Sequence, residues 1–458
     1  MRKTKNGQPK KIIWLTMNRL QRKDLEFHWH PAVHMKSLER YLPFVVKRAS
    51  GCFIEGTDGR KVIDGISSWW CKSLGHNHPR LKAALIEQVS QFEHVIGATT
   101  TNETIIALSE KLVKLFPGMS KAFYAGDGSS AIEIALKMSL HSRINRGEHK
   151  RTKFLALAQG YHGETCGALS VSHLETFKSV YSPILFDCIA LHGIPYLNGS
   201  SDPLWNDCST YWDPVEETLE KNSDSVTALI LEPIVQGAGN MRIYSQDFLG
   251  KLRAWTKAHN IHLIADEIMT GLGRTGKMFA CEHAKITPDF ICLSKGLTSG
   301  WVPFSAVLTT NDIYDCFYDA APAQMNPGKE TFYHSHTYTG NVLGARLALE
   351  TLTILSNDFN WSLLDEKASY MLRSLYDVAH ETDVLTNIRG IGMIAAADIK
   401  DHLYTFEKME KMIHAAFQGG ALLRPLGKTI YWLPPLIIEN PEIDHLREIT
   451  KRALLSVF

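Results

Sequence analysis

The chain has 458 residues, of which 45% are hydrophobic and 21% are charged, a composition typical of folded globular proteins and far from that of disordered chains. Its 49 basic and 48 acidic residues leave a net charge of +1, which offers no electrostatic basis for binding nucleic acid or an anionic membrane. No apolar stretch approaches the roughly 18 residues that a membrane span requires. Eight cysteines are scattered without a Cys-x-x-Cys motif, which predicts reduced thiols. We therefore expect a soluble, cytoplasmic protein.

The N-terminal region is basic at its start and then turns strand-like. The first 23 residues carry eight Lys or Arg and no acid, and polar residues interrupt any signal-peptide core. We expect a solvated basic tail over residues 1–23, with Met17 as an alternative start. The segment from Val45 to Gly65 combines alternating apolar residues with turn signals, which predicts a β-meander. We assign residues 1–78 to the N-terminal part of a small domain.

Short apolar runs without alternation recur through the middle of the chain, as expected of strands buried on both faces. These runs are Ala122 to Tyr124, Phe154 to Ala158, Thr227 to Leu231, Ile261 to Ala265, Phe290 to Leu293 and Ser305 to Leu308. Stretches with helical spacing separate several of them, such as the one that contains Ile132, Ala135 and Leu136. This alternation predicts an α/β fold whose mainly parallel sheet is covered on both faces. We assign this large domain to residues 79–341.

The pattern changes again toward the C-terminus. Between Asp383 and Pro435, helical stretches alternate with short strands such as Met393 to Ala397 and Ile430 to Leu433. We assign residues 342–458 to the C-terminal part of the small domain. A small α+β domain built from both termini is then expected to pack against the large one.

A glycine-rich turn, Gly126-Asp-Gly-Ser-Ser-Ala131, joins a predicted strand to an amphipathic helix. Gly128 allows close approach of the backbone and Ser129 offers an amide and a hydroxyl, so an anion such as phosphate fits at the helix N-terminus. The same letters match Gly-x-Gly-x-x-Ala, which makes an NAD-dependent oxidoreductase an alternative from a different chemical class. Against that alternative, the next strand ends in Ala158-Gln159, where a ribose-binding carboxylate is expected.

Two charged residues follow buried strands later in the chain. Lys295 follows the apolar run Phe290 to Leu293, where burial lowers the pKa of an amine toward the free base that forms a Schiff base. Asp266 closes the run that begins at Ile261 and is placed to pair with a protonated pyridine nitrogen. Each alone has an ordinary interpretation, as a strand-end lysine or a helix cap. Together they indicate a pyridoxal phosphate site.

Other polar and aromatic residues lie where such a site needs them. Tyr161 follows a predicted strand and can stack on a pyridine ring, and Thr337 lies in a loop before a helix and can donate to a phosphate oxygen. Trp69 and Trp70 can wall a substrate pocket. Arg424, in an apolar context, can fork onto a carboxylate. The structural alternatives are core packing for the two tryptophans, a helix cap for Thr337 and an ion pair for Arg424.

Metal ligation is not predicted. Paired histidines occur at His334 and His336 and again at His76 and His78. Their spacing suits a metal ion, but no third ligand cluster accompanies either pair.

In this order the motifs resemble the class III aminotransferases of PLP fold type I, over nearly the whole chain from Trp29 to about Pro435. The segments that carry the resemblance are Trp29-His-Pro31, Ser67-Ser-Trp-Trp70, Gly160-Tyr-His-Gly163, Glu232-Pro-Ile-Val-Gln-Gly237, Asp266-Glu-Ile268, Gly273-Arg-Thr-Gly-Lys-Met-Phe-Ala-Cys-Glu-His283 and Arg424-Pro-Leu-Gly427. The resemblance implies a mainly parallel seven-stranded sheet in the large domain and a small α+β domain from both termini. It also implies pyridoxal 5′-phosphate as the cofactor and a homodimer that shares its active site across the interface.

The resemblance further implies roles for individual residues. Lys295 is implied as the Schiff-base lysine, with Asp266 on the pyridine nitrogen. The other residues implied to hold the cofactor are Gly128, Ser129, Tyr161, Ile268 and, from the second subunit, His336 and Thr337. The residues implied to surround the substrate are Trp69, Trp70, Tyr161, Ser335 and Arg424.

Within the class, these segments are similar to the aminotransferases of biotin synthesis, which implies a ping-pong transfer of an amino group from S-adenosylmethionine to a long keto acid. That branch usually has an aromatic residue after Trp-His-Pro, which stacks on adenine. This chain has Ala32 there, and loss of a stacking ring costs ~1–3 kcal/mol. Relatives that use lysine carry His-Gly-His-[Ser/Thr]-Tyr-Thr-Gly-Asn, which is close to His334-Ser-His-Thr-Tyr-Thr-Gly-Asn341. Lysine as donor, or an ω-amino acid substrate, are the alternatives.

Overall fold

The computed structural model describes residues 17–318 and 331–458. Most of the predicted basic tail therefore lies outside the described residues. The Asn18 side chain accepts a hydrogen bond from the Gln21 amide at 2.9 Å and caps a helix over Arg19–Phe27. The last residues assigned to the tail thus belong to this helix.

Helices and strands alternate through much of the chain. The helices are α1 (Arg19–Phe27), α2 (Ser37–Arg40), α3 (Pro79–Val89), α4 (Glu103–Leu115), α5 (Gly128–Asn145), α6 (Cys166–Ser170), α7 (Glu175–Lys178), α8 (Trp212–Asn222), α9 (Gln246–Ala258), α10 (Asn311–Tyr318), α11 (Val342–Thr353), α12 (Trp361–Thr382), α13 (Phe406–Gly419) and α14 (Asn440–Leu455). The strands are β1 (Val46–Ser50), β2 (Phe53–Gly56), β3 (Lys61–Asp64), β4 (Lys121–Ala125), β5 (Lys153–Leu157), β6 (Ile189–Leu191), β7 (Tyr196–Leu197), β8 (Val226–Leu231), β9 (Val235–Gln236), β10 (Arg242–Tyr244), β11 (His262–Asp266), β12 (Phe290–Leu293), β13 (Ser305–Thr309), β14 (Leu385–Ile391), β15 (Ile394–Ile399), β16 (Ala421–Leu422) and β17 (Thr429–Trp432). Across residues 17–318 and 331–458, no helix has the length and apolar content to cross a membrane.

The central sheet has seven strands in the order β4-β13-β12-β11-β8-β5-β6. The neighbours β12, β11, β8, β5 and β6 pair in parallel, whereas β13 runs antiparallel to both β12 and β4. The six runs read as strands from the sequence all form strands of this sheet, and β6 is the strand that the sequence did not indicate. The predicted α/β fold with a mainly parallel seven-stranded sheet is confirmed.

Successive residues of a central strand face different layers of helices. In β11, Leu263 packs in one core cluster with Phe248 and Leu252 of α9. Its neighbour Ile264 packs in another cluster with Ile132 of α5. Because helices cover both faces, every position of β11 is buried, and the strand shows no polar alternation.

Segments from both ends of the chain form one small sheet. Strands β1, β2 and β3 make the predicted antiparallel meander, and β16 pairs in parallel with β3. The register places Leu422 opposite Asp64. A second small sheet, β14-β15-β17, is antiparallel. This arrangement places the segment that leads to Arg424 beside the segment that leads to Trp69. The boundaries at residues 78 and 341 stay a prediction.

Candidate active site

Two charged side chains lie at the carboxyl ends of adjacent parallel strands. Asp266 ends β11 and pairs in register with Cys292 of β12, and Lys295 follows two residues after β12 ends. Lys295 opens the 3₁₀ turn Lys295–Thr298 with a φ of 40°. Its Nζ lies 4.6 Å from the centroid of the Trp70 ring. The structure therefore brings the predicted catalytic pair to one edge of the sheet.

Burial shapes the charges of this edge. Burial lowers the pKa of Lys295, and the carboxylates of Asp266 and Glu232 oppose that shift. The direction favours the free amine, which is the nucleophilic form. Glu232 accepts hydrogen bonds from the backbone amides of Tyr161 at 3.0 Å and Gly237 at 2.9 Å. Burial also raises the pKa of Glu232 to about 7, so this carboxyl is only partly ionised beside the lysine at neutral pH.

The Asp266 carboxylate is fixed by two contacts. Its Oδ2 lies 2.8 Å from Nδ1 of His162, and its Oδ1 accepts a hydrogen bond from the Ile268 amide at 3.1 Å. Asp266 is 4% exposed and His162 is 3% exposed, so water does not compete for either contact. Within the described part of the chain, the buried Nε2 of His162 has no hydrogen-bond partner. His162 therefore orients the carboxylate, a role that the sequence did not assign to it.

The start of α5 forms an anion cradle. Gly128 and Ser129 are its first two residues, and the Asp127 side chain caps it by accepting a hydrogen bond from the Ser130 amide at 2.9 Å. Ile268 lies against Gly128, since a Cβ on that glycine would be 3.0 Å from Ile268 Cδ1. The amides of a first helical turn lack intrahelical partners and attract a phosphate. The predicted cofactor residues Gly128, Ser129 and Ile268 are thus neighbours.

Tyr161 lies at the same edge of the sheet, in the loop that follows β5. Its hydroxyl donates a hydrogen bond to Glu164 Oε1 at 2.9 Å, and its ring centroid lies 5.3 Å from that of Phe177. Burial raises the pKa of the Tyr161 phenol well above its usual value. The ring is therefore held neutral beside Asp266 and Glu232, as the prediction of a stacking residue requires.

Trp69, Trp70 and Arg424 form a second side of the site. The Arg424 guanidinium lies 4.5 Å from the centroid of the Trp69 ring, and its Nη2 donates a hydrogen bond to the Ala32 carbonyl at 2.6 Å. The Trp70 indole nitrogen donates to the Tyr431 hydroxyl at 3.0 Å. Trp69 is 43% exposed and Trp70 is 5% exposed. The two predicted pocket residues therefore differ, one open toward solvent and one buried beneath Lys295.

The backbone of this tryptophan pair is strained. Ser67, Ser68, Trp69 and Trp70 have φ angles of 51°, 46°, 78° and 73°. Left-handed helical backbone costs an L-residue about 1–2 kcal/mol, and it normally occurs at single positions. Such strain persists only where the surroundings hold it in place, and it concentrates at functional sites.

The segment His334 to Thr337 makes its contacts elsewhere. His334 lies 3.2 Å from His336, nitrogen to nitrogen, and 2.8 Å from the Lys137 amine. The Thr337 carbonyl accepts a hydrogen bond from His94 at 2.8 Å, and Ser335 is exposed. Among the described residues, no hydrogen bond joins these side chains to Lys295 or Asp266. A single chain therefore does not bring the predicted residues Ser335, His336 and Thr337 to the catalytic pair.

Three residues in or beside the site had no assigned role in the sequence: His162, Glu232 and Asp64, whose side chain accepts a hydrogen bond from the Ser68 amide. Asp64 ends β3, and Glu232 directly follows the buried strand β8. A polar residue at the end of a buried strand is the signal that identified Asp266, so it was available for these two as well. His162 lies in a loop, and only its contact with Asp266 reveals its role.

The sequence profile of the family described as Aminotransferase class-III matches residues 35–454. The chain therefore belongs to the class III aminotransferases, and it is a pyridoxal phosphate-dependent aminotransferase. This membership excludes the NAD-dependent oxidoreductase that the glycine-rich turn left open.

Relatives with a single name match nearly the whole chain. The adenosylmethionine-8-amino-7-oxononanoate aminotransferase of Helicobacter pylori (strain ATCC 700392 / 26695) is 38% identical over 92% of this chain and 94% of that protein. The Aquifex aeolicus (strain VF5) protein of that name is 34% identical over 95% of this chain and 97% of its own length. The crystal structure of the protein of that name from Methanocaldococcus jannaschii DSM 2661 has a TM-score of 0.86 and 31% identity, covering 96% of this chain and 99% of that one.

Pyridoxal 5′-phosphate fits the residues present. A buried amine suits its aldehyde, a buried carboxylate suits its pyridine nitrogen and a helix N-terminus suits its phosphate. Lys295, Asp266 and the start of α5 supply these three groups at one edge of the sheet. Ile268 contacts both the cradle and the Asp266 carboxylate. Ile268 and Tyr161 would be the residues that contact the ring of the cofactor, as the resemblance implies.

Replacing Gly163 with Ala is expected to weaken pyridoxal phosphate binding at least about tenfold. A Cβ at Gly163, where φ is 131°, would lie 2.9 Å from Ser129 Cβ and closer still to its hydroxyl, so the anion cradle must shift. Titration of apoenzyme with cofactor, followed by absorbance, measures the dissociation constant. The control is Gly250→Ala in α9, where the new methyl group would have no described atom within 4 Å apart from its chain neighbours and the backbone of its own helix. Equal affinities of Gly163→Ala and wild type would contradict the cradle.

A second carboxyl, Glu267, should make stability depend on pH. It accepts hydrogen bonds from the amides of Ala280 and Cys281, and burial raises its pKa from 4.5 to about 7. The fold favours the protonated form, so this stabilisation is complete below pH 4.5 and is lost as the pH rises through about 7, by roughly 3 kcal/mol. Urea unfolding at acidic and alkaline pH should show wild type losing stability relative to Glu267→Gln. If the difference in free energy of unfolding between wild type and Glu267→Gln does not change with pH, the prediction is wrong.

Proposed function

We propose that the protein transfers an amino group from S-adenosylmethionine to 8-amino-7-oxononanoate and yields 7,8-diaminononanoate in biotin synthesis. The observation that carries the proposal is that a buried amine and a guanidinium lie against two consecutive tryptophans. Lys295 and Arg424 lie over the rings of the consecutive tryptophans Trp70 and Trp69. The shared name of the relatives supports the choice of substrates.

The chain's own residues bind, orient and move a proton. Pyridoxal phosphate, when bound, supplies the electron sink that stabilises negative charge on the donor carbon. Lys295, with its lowered pKa, takes the proton from that carbon. Asp266, oriented by His162, keeps the pyridine nitrogen protonated. In the second half of the ping-pong cycle Lys295 returns a proton, now to the carbon of the keto acid.

Arg424 is proposed to take the carboxylate of the long keto acid. Its Nη2 is bonded to the Ala32 carbonyl, which fixes the guanidinium over Trp69. An arginine has five N–H donors, so one such contact leaves enough donors for a bidentate carboxylate. Because Arg424 and Lys295 lie against different rings of the tryptophan pair, this arrangement is proposed to select acids whose keto carbon lies far from the carboxylate.

Lysine is the second candidate for the amino donor, and one observation favours it. Ala32 places a methyl group where an aromatic ring would stack on adenine, and Trp69 is left 43% exposed. Lysine has no adenosyl group, so the absence of a stacking ring costs it no binding free energy.

A homodimer in the cytoplasm is part of the proposal. Ser335, His336 and Thr337 are then supplied to the site of the partner. Exposed apolar side chains support an interface, and they include Ile86, Val89, Val95, Ile96 and Tyr338. Tyr338 adjoins Thr337, so this apolar surface lies next to the residues that would reach across.

The test of the function is the visible spectrum of the purified holoenzyme mixed with one amino donor and no acceptor. Loss of the cofactor band with S-adenosylmethionine, restored by 8-amino-7-oxononanoate, is the expected result. A response to lysine alone would move the donor assignment to lysine. A response to neither donor would refute the role in biotin synthesis.

Arg424→Gln should raise KM for 8-amino-7-oxononanoate by roughly 10- to 100-fold, because the carboxylate loses a charge-assisted bidentate partner. Steady-state rates with varied keto acid measure the change. The control is Arg48→Gln, whose side chain is 70% exposed and pairs with Glu55 in the terminal meander. An unchanged KM in Arg424→Gln would place the carboxylate elsewhere.

A further inference from the structure

The segment Ser67–Trp70 is a left-handed helical turn. Ser68 has φ and ψ of 46° and 50°, and Trp69 has 78° and 45°, close to the ideal left-handed values. The Trp70 amide donates to the Ile66 carbonyl at 2.9 Å and the Cys71 amide donates to the Ser67 carbonyl at 2.9 Å. None of the four residues is glycine, so each carries a Cβ that disfavours left-handed backbone. The groups that hold this turn must lie outside it.

Asp64 is the main such group. Its Oδ1 accepts a hydrogen bond from the Ser68 amide at 2.8 Å, and its Oδ2 accepts one from the Ser68 hydroxyl at 2.6 Å. The same Oδ2 lies 2.8 Å from Nε2 of His76, which fixes the carboxylate from the other side. Asp64 is 0% exposed, so these bonds form without competition from water. The carboxylate thus accepts from both donor groups of Ser68, the amide and the hydroxyl.

A buried arginine holds the start of the turn. Arg274 Nη2 donates to the Ser67 hydroxyl at 3.3 Å, and its Nη1 donates to the Pro434 carbonyl at 2.6 Å. Arg274 is 3% exposed. This contact is longer than those of Asp64 and touches only Ser67, so it supports the turn without setting its hand.

The hand of the turn decides what the two tryptophans contact. Trp70 lies beneath the Lys295 amine and Trp69 beneath the Arg424 guanidinium. In a right-handed turn the side chains of Trp69 and Trp70 would point in other directions. The contacts of Trp69 with Arg424 and of Trp70 with Lys295 would then not both form. Asp64 itself makes no hydrogen bond with Lys295 or Arg424 among the described residues.

We propose that Asp64 is a positioning residue of amino transfer: by clamping Ser68 in left-handed backbone, it places Trp70 against Lys295 and Trp69 against Arg424. The inference rests on the proposed function for the identity of the keto acid, but not for the geometry. A competing role is purely electrostatic, in which the buried negative charge acts on Lys295 from a distance. Glycine separates the two roles, because it adopts left-handed backbone without a clamp.

The experiment compares three holoenzyme variants: Asp64→Ala, Asp64→Ala with Ser68→Gly, and Asp64→Ala with Ser68→Ala. Asp64→Ala should raise KM for the keto acid at least about tenfold, as expected from losing buried charge-assisted hydrogen bonds. It should also change the circular dichroism of the bound cofactor's visible band. The Ser68→Gly background should restore most of both signals, and the Ser68→Ala background should restore neither.

Two results would overturn the proposal. One is an Asp64→Ala enzyme with wild-type KM and wild-type visible dichroism. The other is a loss that glycine at position 68 does not repair, which would assign the effect to charge. If Asp64→Ala yields no folded holoenzyme, Asp64→Asn replaces it. The Asn side chain keeps one acceptor oxygen for the Ser68 amide but loses the charge, so a smaller rise in KM is expected, and glycine at position 68 must still repair it. A loss in Asp64→Asn that Ser68→Gly leaves unrepaired would overturn the proposal.

Asp289→Asn controls for loss of a carboxylate remote from the turn. Asp289 precedes β12 at the opposite end of the sheet, and it accepts hydrogen bonds from the Leu263 amide and from Arg253. That variant should keep the wild-type KM and dichroism. The dichroism needs no substrate, so a wrong keto acid would leave this readout intact and would be told apart from a wrong role for Asp64.

Discussion

The parallel pairing of β11 with β12 is the contact on which the site depends. It puts Asp266 opposite Cys292 and brings Lys295 round the end of the next strand, so that two groups of opposite charge share one buried edge. Parallel strands place their carboxyl ends together, and the helices that cover both faces keep water out. An isolated lysine at such depth would be costly, but one facing Asp266 and Glu232 is tolerable and still shifted toward the free amine.

Support for this edge comes from residues that do no chemistry. His162 orients Asp266, and the backbone amides of Tyr161 and Gly237 hold Glu232. The second side of the site depends on a different contact, the pairing of β3 with β16, which joins the two ends of the chain. That pairing sets Asp64 beside the strand that leads to Arg424. The cofactor side and the substrate side are therefore built by separate sheets and meet at the tryptophan pair.

Much of the fold and part of the site were predictable because their signals are local. Buried strands appear as unbroken apolar runs. Gly128 and Ser129, next to an aspartate cap, indicate a helix N-terminus. Lys295 and Asp266 were predicted as a pair because each follows a buried apolar run and their combination fits a pyridoxal phosphate site. The left-handed turn gave no local signal, since serine and tryptophan at Ser67–Trp70 do not favour positive φ. Neither did the partner of His162, which lies 104 positions away in sequence.

The sequence by itself determined the family and six strands of the central sheet, and it predicted Lys295 and Asp266 as the catalytic pair, because burial and strand ends leave periodic and compositional traces. Only the tertiary structure decided which polar groups support that pair, that Arg424 is held over Trp69 by the Ala32 carbonyl and that Asp64 clamps a strained turn. The contacts of Arg424 join segments far apart in the chain, whereas Asp64 and Ser68 are only four positions apart and depend on the burial of Asp64. These contacts are strong because their hydrogen bonds form away from water. No single segment creates that environment before the chain has folded.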